Sequence, residues 1–299
     1  MNIEHMRAIL DALPDPAFIL SESGQYVNVF GGRDIRYYHE GTSLIGKRIP
    51  EILKADKAQW FIDKIAQALS AGGMTIVEYE LSNKDIIGLP DVGPDEPIWF
   101  EGRIQPLDYT VADERVVLWV ASNITERHKM EVSLRYLSDT DQLTGLFNRR
   151  KLEQDLAAQF ASFTRYGTPT SVLMLDMDNL KQVNDTLGHQ AGDEVIVAFS
   201  RICSETLRET DFAYRYGGDE FVIVLPNLDY QQATQFAERL NHAFRHHNID
   251  GEIHSEPATL SIGVTAFTQQ DASFEDTLRR ADELLYKAKQ QGKDRVATS

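Results

Sequence analysis

Apolar and polar positions alternate along this chain with two different periods. Ile3, Met6, Ile9, Leu10 and Leu13 recur at helical spacing over residues 2–13, and Pro14 and Pro16 end that helix. Residues 17–20 and 26–30 read as strands joined by the turn Glu22-Ser23-Gly24. Two short helices are expected near 43–53 and 57–71, then three strands near 74–83, 97–107 and 115–124. Between residues 87 and 97 stand Gly88, Pro90, Gly93, Pro94 and Pro97, breakers that mark an exposed loop. Residues 126–138 return to the helical period, with Met130, Leu134 and Leu137 on one face. A short parallel coiled coil with a second chain is favoured for that stripe over packing against its own domain.

The second half alternates strands and helices. Residues 171–175 are strand-like, 193–207 form an amphipathic helix, and 212–216 and 221–225 read as strands around Gly217-Gly218. A helix over 231–246, a strand over 258–267 and a helix over 273–291 follow, ending near Gly292. This order suits an α+β fold, a sheet covered by helices, close to the ferredoxin-like palm of nucleotidyl cyclases and polymerases. A chain of 299 residues accommodates two domains. The pattern divides it into 1–125, a linker helix over 126–138, and 139–299.

Charge narrows the partners. The net charge is −16, and both halves share it: residues 1–125 carry 11 basic against 19 acidic side chains, and residues 126–299 carry 19 against 27. Such a surface repels a polyphosphate backbone, so no nucleic-acid partner is expected. A small triphosphate remains admissible where local cations and a divalent metal offset its charge. Cys203 is the single cysteine, so no internal disulfide forms; it lies on an apolar helix face with Ile196, Phe199 and Ile202 and reads as core packing. No apolar run approaches the roughly 20 residues that cross a bilayer. Met1-Asn2-Ile3-Glu4-His5 lacks the basic start of a signal peptide, so a soluble, cytoplasmic protein without a membrane partner is expected.

Two segments carry candidate chemistry. Leu175-Asp176-Met177-Asp178 ends an apolar strand with two carboxylates that alternation sends to the same side. Hard oxygens of this kind suit Mg²⁺, and equally a turn or helix cap. Gly217-Gly218-Asp219-Glu220 stands between two strands; the glycines permit a hairpin with positive φ and let a phosphate or base approach the backbone. The acids abut the buried strand beginning at Phe221, where an unpaired carboxylate is costly.

Gly217-Gly218-Asp219-Glu220-Phe221 is the eponymous motif of the GGDEF diguanylate cyclases, which residues 139–296 resemble. The resemblance includes Asp141-Gln142-Leu143-Thr144-Gly145-Leu146-Phe147-Asn148-Arg149-Arg150, the segment from Asp176 to Asp185, Leu187-Gly188-His189, Tyr286-Lys287-Ala288-Lys289 and Gly292-Lys293. It implies a homodimer in which two GTP molecules become cyclic di-GMP and pyrophosphate. It assigns Mg²⁺ or Mn²⁺ to Asp176, the Met177 carbonyl, Asp219 and Glu220. Catalytic roles are implied for Asp219, Glu220 and Lys181. Asn184 and Asp193 would read the guanine edge, Gly217 and Gly218 would line the substrate, and Lys181, Lys289 and Lys293 would meet the triphosphate. The family usually has arginine at the position of Lys293; lysine keeps the charge but loses the bidentate fork. Arg208 and Asp211 match an inhibitory site for the product, to which Arg239 would add a second arginine. A catalytically inactive member that only senses GTP or cyclic di-GMP is the alternative; the acids and the Gly-Gly turn are intact, which favours the enzyme.

Residues 1–125 resemble a PAS sensor: five strands with a helical insert, Leu44-Ile45-Gly46-Lys47 at its start, and Asn123-Ile124-Thr125-Glu126-Arg127 opening a linker helix. With Cys203 the only cysteine, the flavin-linking cysteine of a LOV domain is absent. Haem would need a ligand such as His39, beside Tyr37 and Tyr38. A small metabolite, or no ligand beyond a partner chain, is favoured over haem, and the PAS ligand itself stays unknown.

Overall fold

The computed structural model describes residues 2–32, 41–87, 96–249 and 258–298. His39, and most of the breaker-rich loop expected between 87 and 97, lie outside them. The chain folds as two compact units, Met1–Ser133 and Leu134–Ser299.

The first unit opens with α1 (Ile3–Asp11), whose N-terminus is capped by Asn2 accepting the Glu4 amide at 3.2 Å. Its apolar stripe forms as expected yet is uncovered: Ile3, Met6 and Ile9 are all exposed. There follow β1 (Ala17–Ser21), β2 (Tyr26–Phe30), α2 (Ile49–Ile52), α3 (Ala55–Ala71), β3 (Thr75–Leu81), β4 (Ile98–Val111) and β5 (Glu114–Asn123). They form a five-stranded sheet in the order β2-β1-β5-β4-β3, every neighbour antiparallel. Helix α3 buries Phe61, Ile65 and Ala68 in the same core as Tyr79, Ile104 and Trp119 of the sheet. A cavity of about 380 Å³ lies beside this core, walled by Phe18, Leu20, Phe61, Tyr79, Phe100 and Trp119.

Helix α4 (Thr125–Asp139) runs across the division between the units. Its start is fastened to the first sheet: Arg127 pairs with Glu78 at 2.8 Å and Glu101 at 3.3 Å, and the His128 ring stacks on Trp99 at 3.8 Å. Among the described residues Met130, Leu134 and Leu137 are 62%, 65% and 56% exposed.

The second unit contains β6 (Phe147–Asn148), α5 (Arg149–Tyr166), β7 (Thr170–Asp178), α6 (Leu180–Leu187), α7 (His189–Thr206), β8 (Phe212–Arg215), β9 (Glu220–Pro226), α8 (Tyr230–Ile249), β10 (Thr259–Ala266), α9 (Phe274–Gln290) and β11 (Arg295–Thr298). The sheet order is β11-β10-β7-β9-β8-β6, with β7 antiparallel to both neighbours. Alternation sorts its residues onto two faces. Leu173, Leu175 and Met177 join Phe221, Ile223 and Leu225 in a core with α7 and α8, which includes Cys203. Val172 and Met174 join Val222 and Val224 in a second core with α5 and α9. Every residue of β7 is buried, because helices cover both faces. Helix α9 presses closest at Gly263, where a methyl group would lie 2.2 Å from the Ala281 carbonyl oxygen.

Candidate active site

The register of β7 against β9 fixes the centre of the site. Asp176 is paired with Glu220, and the Met177 amide donates to the Asp219 carbonyl at 3.1 Å. By alternation Asp176 and Glu220 share the face of Met174 and Val222, which is the face of α9. From that helix Lys289 reaches the Asp176 carboxylate at 2.7 Å. Burial raises the Asp176 carboxyl above its ordinary range; Lys289 opposes that rise, and the nearby Asp219 and Asp178 add to it. A cleft of about 280 Å³ adjoins, bounded by Glu220, Asp282, Glu283, Leu285, Tyr286 and Lys289.

Three sequence expectations change here. Asp178 does not share the site with Asp176. It is 2% exposed, and its oxygens accept from Ser261, Thr259 and the Asp294 amide at 2.9–3.1 Å, so it ties β7 to β10 and the turn before β11. Neither Gly217 nor Gly218 has a positive φ. What glycine provides is space: a methyl at Gly217 would meet the Glu220 carboxylate at 2.7 Å, whereas at Gly218 it would meet nothing within 4 Å. Asp219 and Glu220, at the hairpin and the first position of β9, are half-exposed rather than buried. Among the described residues no three histidine, cysteine, aspartate or glutamate side chains gather closely enough to hold a metal.

The remaining candidates fall around this centre. Lys293, in a left-handed conformation with φ of 60°, donates to Asn179 at 2.9 Å, beside the start of α6. Lys181 is exposed on the first turn of α6. Asn184, one turn on, turns its Oδ1 inward, where it is buried without a hydrogen-bond partner, against Gly192 of α7. Asp193 follows, exposed. Arg208 is exposed, but Asp211 is buried and accepts the Arg208 amide at 3.0 Å. That carboxylate closes its own turn, and its Oδ1 is buried without a hydrogen-bond partner. Arg239 lies over the Phe236 ring at 5.8 Å.

Sequence reading missed Arg215. Its guanidinium donates to the Gly218 carbonyl at 3.2 and 2.7 Å and to Asp141 at 3.0 Å. Asp141 also accepts from the Thr144 amide and hydroxyl. Although burial opposes it, these donors hold its carboxyl below the usual range. The opening motif and the hairpin are therefore one hydrogen-bonded unit. A charged side chain just before a Gly-Gly turn is the sequence signal that could have found it.

The family description "Diguanylate cyclase, GGDEF domain" matches residues 138–295. The chain belongs to the GGDEF family. A diguanylate cyclase of Vibrio cholerae is 36% identical over 191 residues, which are 64% of this chain and 59% of that protein. Response regulator PleD of Caulobacter vibrioides is 33% identical over 231 residues, 75% of this chain and 47% of that protein. Diguanylate cyclase DosC of Escherichia coli is 37% identical over 171 residues, 57% and 37% of the respective lengths. The chain thus spans about half the length of these relatives. Among solved structures, the coiled coil and GGDEF domain of DgcB from Caulobacter crescentus, in complex with c-di-GMP, superposes with a TM-score of 0.54 at 29% identity, covering 58% of this chain and 93% of that one. Diguanylate cyclase SiaD of Pseudomonas aeruginosa, in complex with its activator SiaC, gives 0.53 at 35% identity, covering 58% and 66%. No helix of the described residues is long and apolar enough to cross a membrane.

Proposed function

We propose that this chain condenses two GTP molecules into cyclic di-GMP with release of two pyrophosphates. The observation that carries the reading is the pairing of Asp176 with Glu220 across β7 and β9, with Lys289 on the Asp176 carboxylate. Two carboxylates on adjacent strands, beside a cation that can change partners, suit a triphosphate arriving with a divalent metal.

The donor set fits Mg²⁺ or Mn²⁺. The cation takes hard oxygens and prefers one or two carboxylates plus substrate phosphates, so a preformed three-acid cage is not required. Asp176, the Met177 carbonyl, Asp219 and Glu220 would hold it; when bound, it offsets phosphate charge and acidifies the attacking hydroxyl. Lys181, Lys289 and Lys293 neutralise the triphosphate. Asn184 and Asp193 bind the base, and Gly218 leaves its surface open to the nucleotide. The 3′-oxygen of one GTP forms a bond to the α-phosphorus of the other as the bond to the β-phosphate breaks. We assign the displaced hydroxyl proton to the Asp219 carboxylate. The same exchange in the opposite sense closes the ring.

Each domain holds one GTP, so two copies must meet. The exposed stripe Met130, Leu134 and Leu137 on α4 has the four-then-three spacing of a coiled-coil seam, which supports a parallel homodimer. We assign the first unit to the PAS sensors: its strand order and its cavity support that reading, with a ligand still to be identified. Arg208, with Arg239, would bind the phosphates of cyclic di-GMP as inhibitor, on a turn shaped by Asp211.

The purified protein given GTP and Mg²⁺ yields cyclic di-GMP, identified by mass. Absence of product, in the wild type and also in Arg208→Ala, overturns the reading.

A further inference from the structure

Asn184 is held in an unusual way for a residue that meets a ligand. Its Oδ1 is buried and has no hydrogen-bond partner. It lies against the backbone of Gly192 so closely that a methyl group there would stand 2.0 Å from it, 2.9 Å from the side-chain carbon and 3.2 Å from Nδ2. Gly192 has no positive φ, so its helix does not demand glycine. A Cα–H group is a weak donor that accepts a carbonyl oxygen as neighbour better than an NH₂. The contact therefore turns the oxygen in and leaves Nδ2 as the outward group.

Resting on the proposed use of GTP, we infer that Gly192 is the positioning residue for base selection: its missing side chain seats the Asn184 amide with its donor toward the base. Asp193, the exposed acceptor, follows Gly192 directly on α7. Together they offer a donor beside an acceptor, the complement of the guanine N3 and its 2-amino group. Inosine lacks that amino group and keeps the rest of the ring edge.

Because the clash falls on the far end of one side chain, Gly192→Ala moves Asn184 and spares the fold. Alanine also outranks glycine in a helix, so the melting temperature of the full chain holds or rises. The test compares kcat/KM for GTP and for inosine triphosphate. In Gly192→Ala the preference for GTP falls roughly tenfold, chiefly through KM, as expected for one misplaced hydrogen bond. Asn184→Ala lowers it similarly, and adding Gly192→Ala to Asn184→Ala changes it no further. An unchanged preference in Gly192→Ala overturns the inference, as does a further loss in the double variant. If the wild type makes no cyclic di-GMP, the proposed function falls. Gly192 is then tested by equilibrium binding of non-hydrolysable guanosine and inosine triphosphate analogues to the same variants; equal preference in wild type and Gly192→Ala, or no binding by the wild type, overturns its role.

Discussion

Arg215 grips the carbonyl of Gly218 with two donors, at 3.2 and 2.7 Å, while its third contact holds Asp141 at 3.0 Å. This fork adds to the backbone bonds that hold the hairpin tip, from the Met177 amide to Asp219 and from the Tyr216 and Gly217 amides to Glu220. Arg215→Lys keeps the charge but loses the fork. A charge-assisted hydrogen bond contributes about 1.5–3 kcal/mol, so the rate of product formation falls by roughly tenfold or more. Steady-state kinetics on a variant that still folds, judged by circular dichroism, checks this; an unchanged kcat removes Arg215 from the site.

Two glycines separate stability from activity. At Gly263 an added methyl strikes backbone, 2.2 Å from Ala281 O and 2.4 Å from Leu285 N. Overpacking of this kind costs about 1–3 kcal/mol. Gly263→Ala therefore lowers the melting temperature by several degrees and shifts α9, which carries Lys289. At Gly218 nothing lies within 4 Å. Gly218→Ala keeps the melting temperature and, on the proposed function, lowers product formation, because the methyl would enter the space assigned to the nucleotide. Thermal scans and a product assay on both variants decide the matter.

Acid sensitivity should trace to Asp271. Burial pushes its carboxyl up, but hydrogen bonds from Arg280, the Thr268 amide and Thr277 outweigh that and hold it at about 2, below its ordinary 3.8. A depressed carboxylate stabilises the fold above the unfolded value, and the gain is lost as pH falls through the folded one. The wild type loses stability between about pH 4 and 2, and Asp271→Asn, already weaker at pH 7, shows a flatter acid limb. Urea midpoints measured against pH test it; parallel curves refute it.

The pair of Lys289 and Asp176 predicts a response to metal. Lys289→Met strands a buried carboxylate, and breaking one side of such a pair costs about 3–5 kcal/mol when it is fully buried, less here where Lys289 is one-third exposed. The variant melts lower than wild type without metal, and millimolar Mg²⁺ raises its melting temperature more than that of the wild type. Equal Mg²⁺ shifts count against a shared carboxylate.

Much of this site was legible because its motifs are local. Asp176, Asp219 and Glu220 stand at strand ends that the apolar runs around them announce, and Lys289 falls on the inward stripe of α9. Helices α5 and α6 escaped notice, although Leu152, Leu156, Phe160 and Phe163 of α5 recur at helical spacing, and β6 and β11 are too short to show a period. The inner Asp of Asp-x-Asp went astray because alternation gives a side and not a depth: Asp178 shares the face of Asp176 yet meets Ser261 and Thr259 from β10. Pairing partners far apart in sequence, such as Arg215 with Asp141, have no local pattern to read.

The lysine on Asp176 also bears on how an acidic chain of net charge −16 admits an anion. At rest the buried carboxylate carries its own counter-ion, so an incoming triphosphate is not met by a bare negative charge. On the proposed function, a nucleotide arriving with its metal would exchange partners here: the Asp176 carboxylate would turn from lysine to metal, and Lys289 from carboxylate to phosphate. Each ion pair given up there would be matched by another formed.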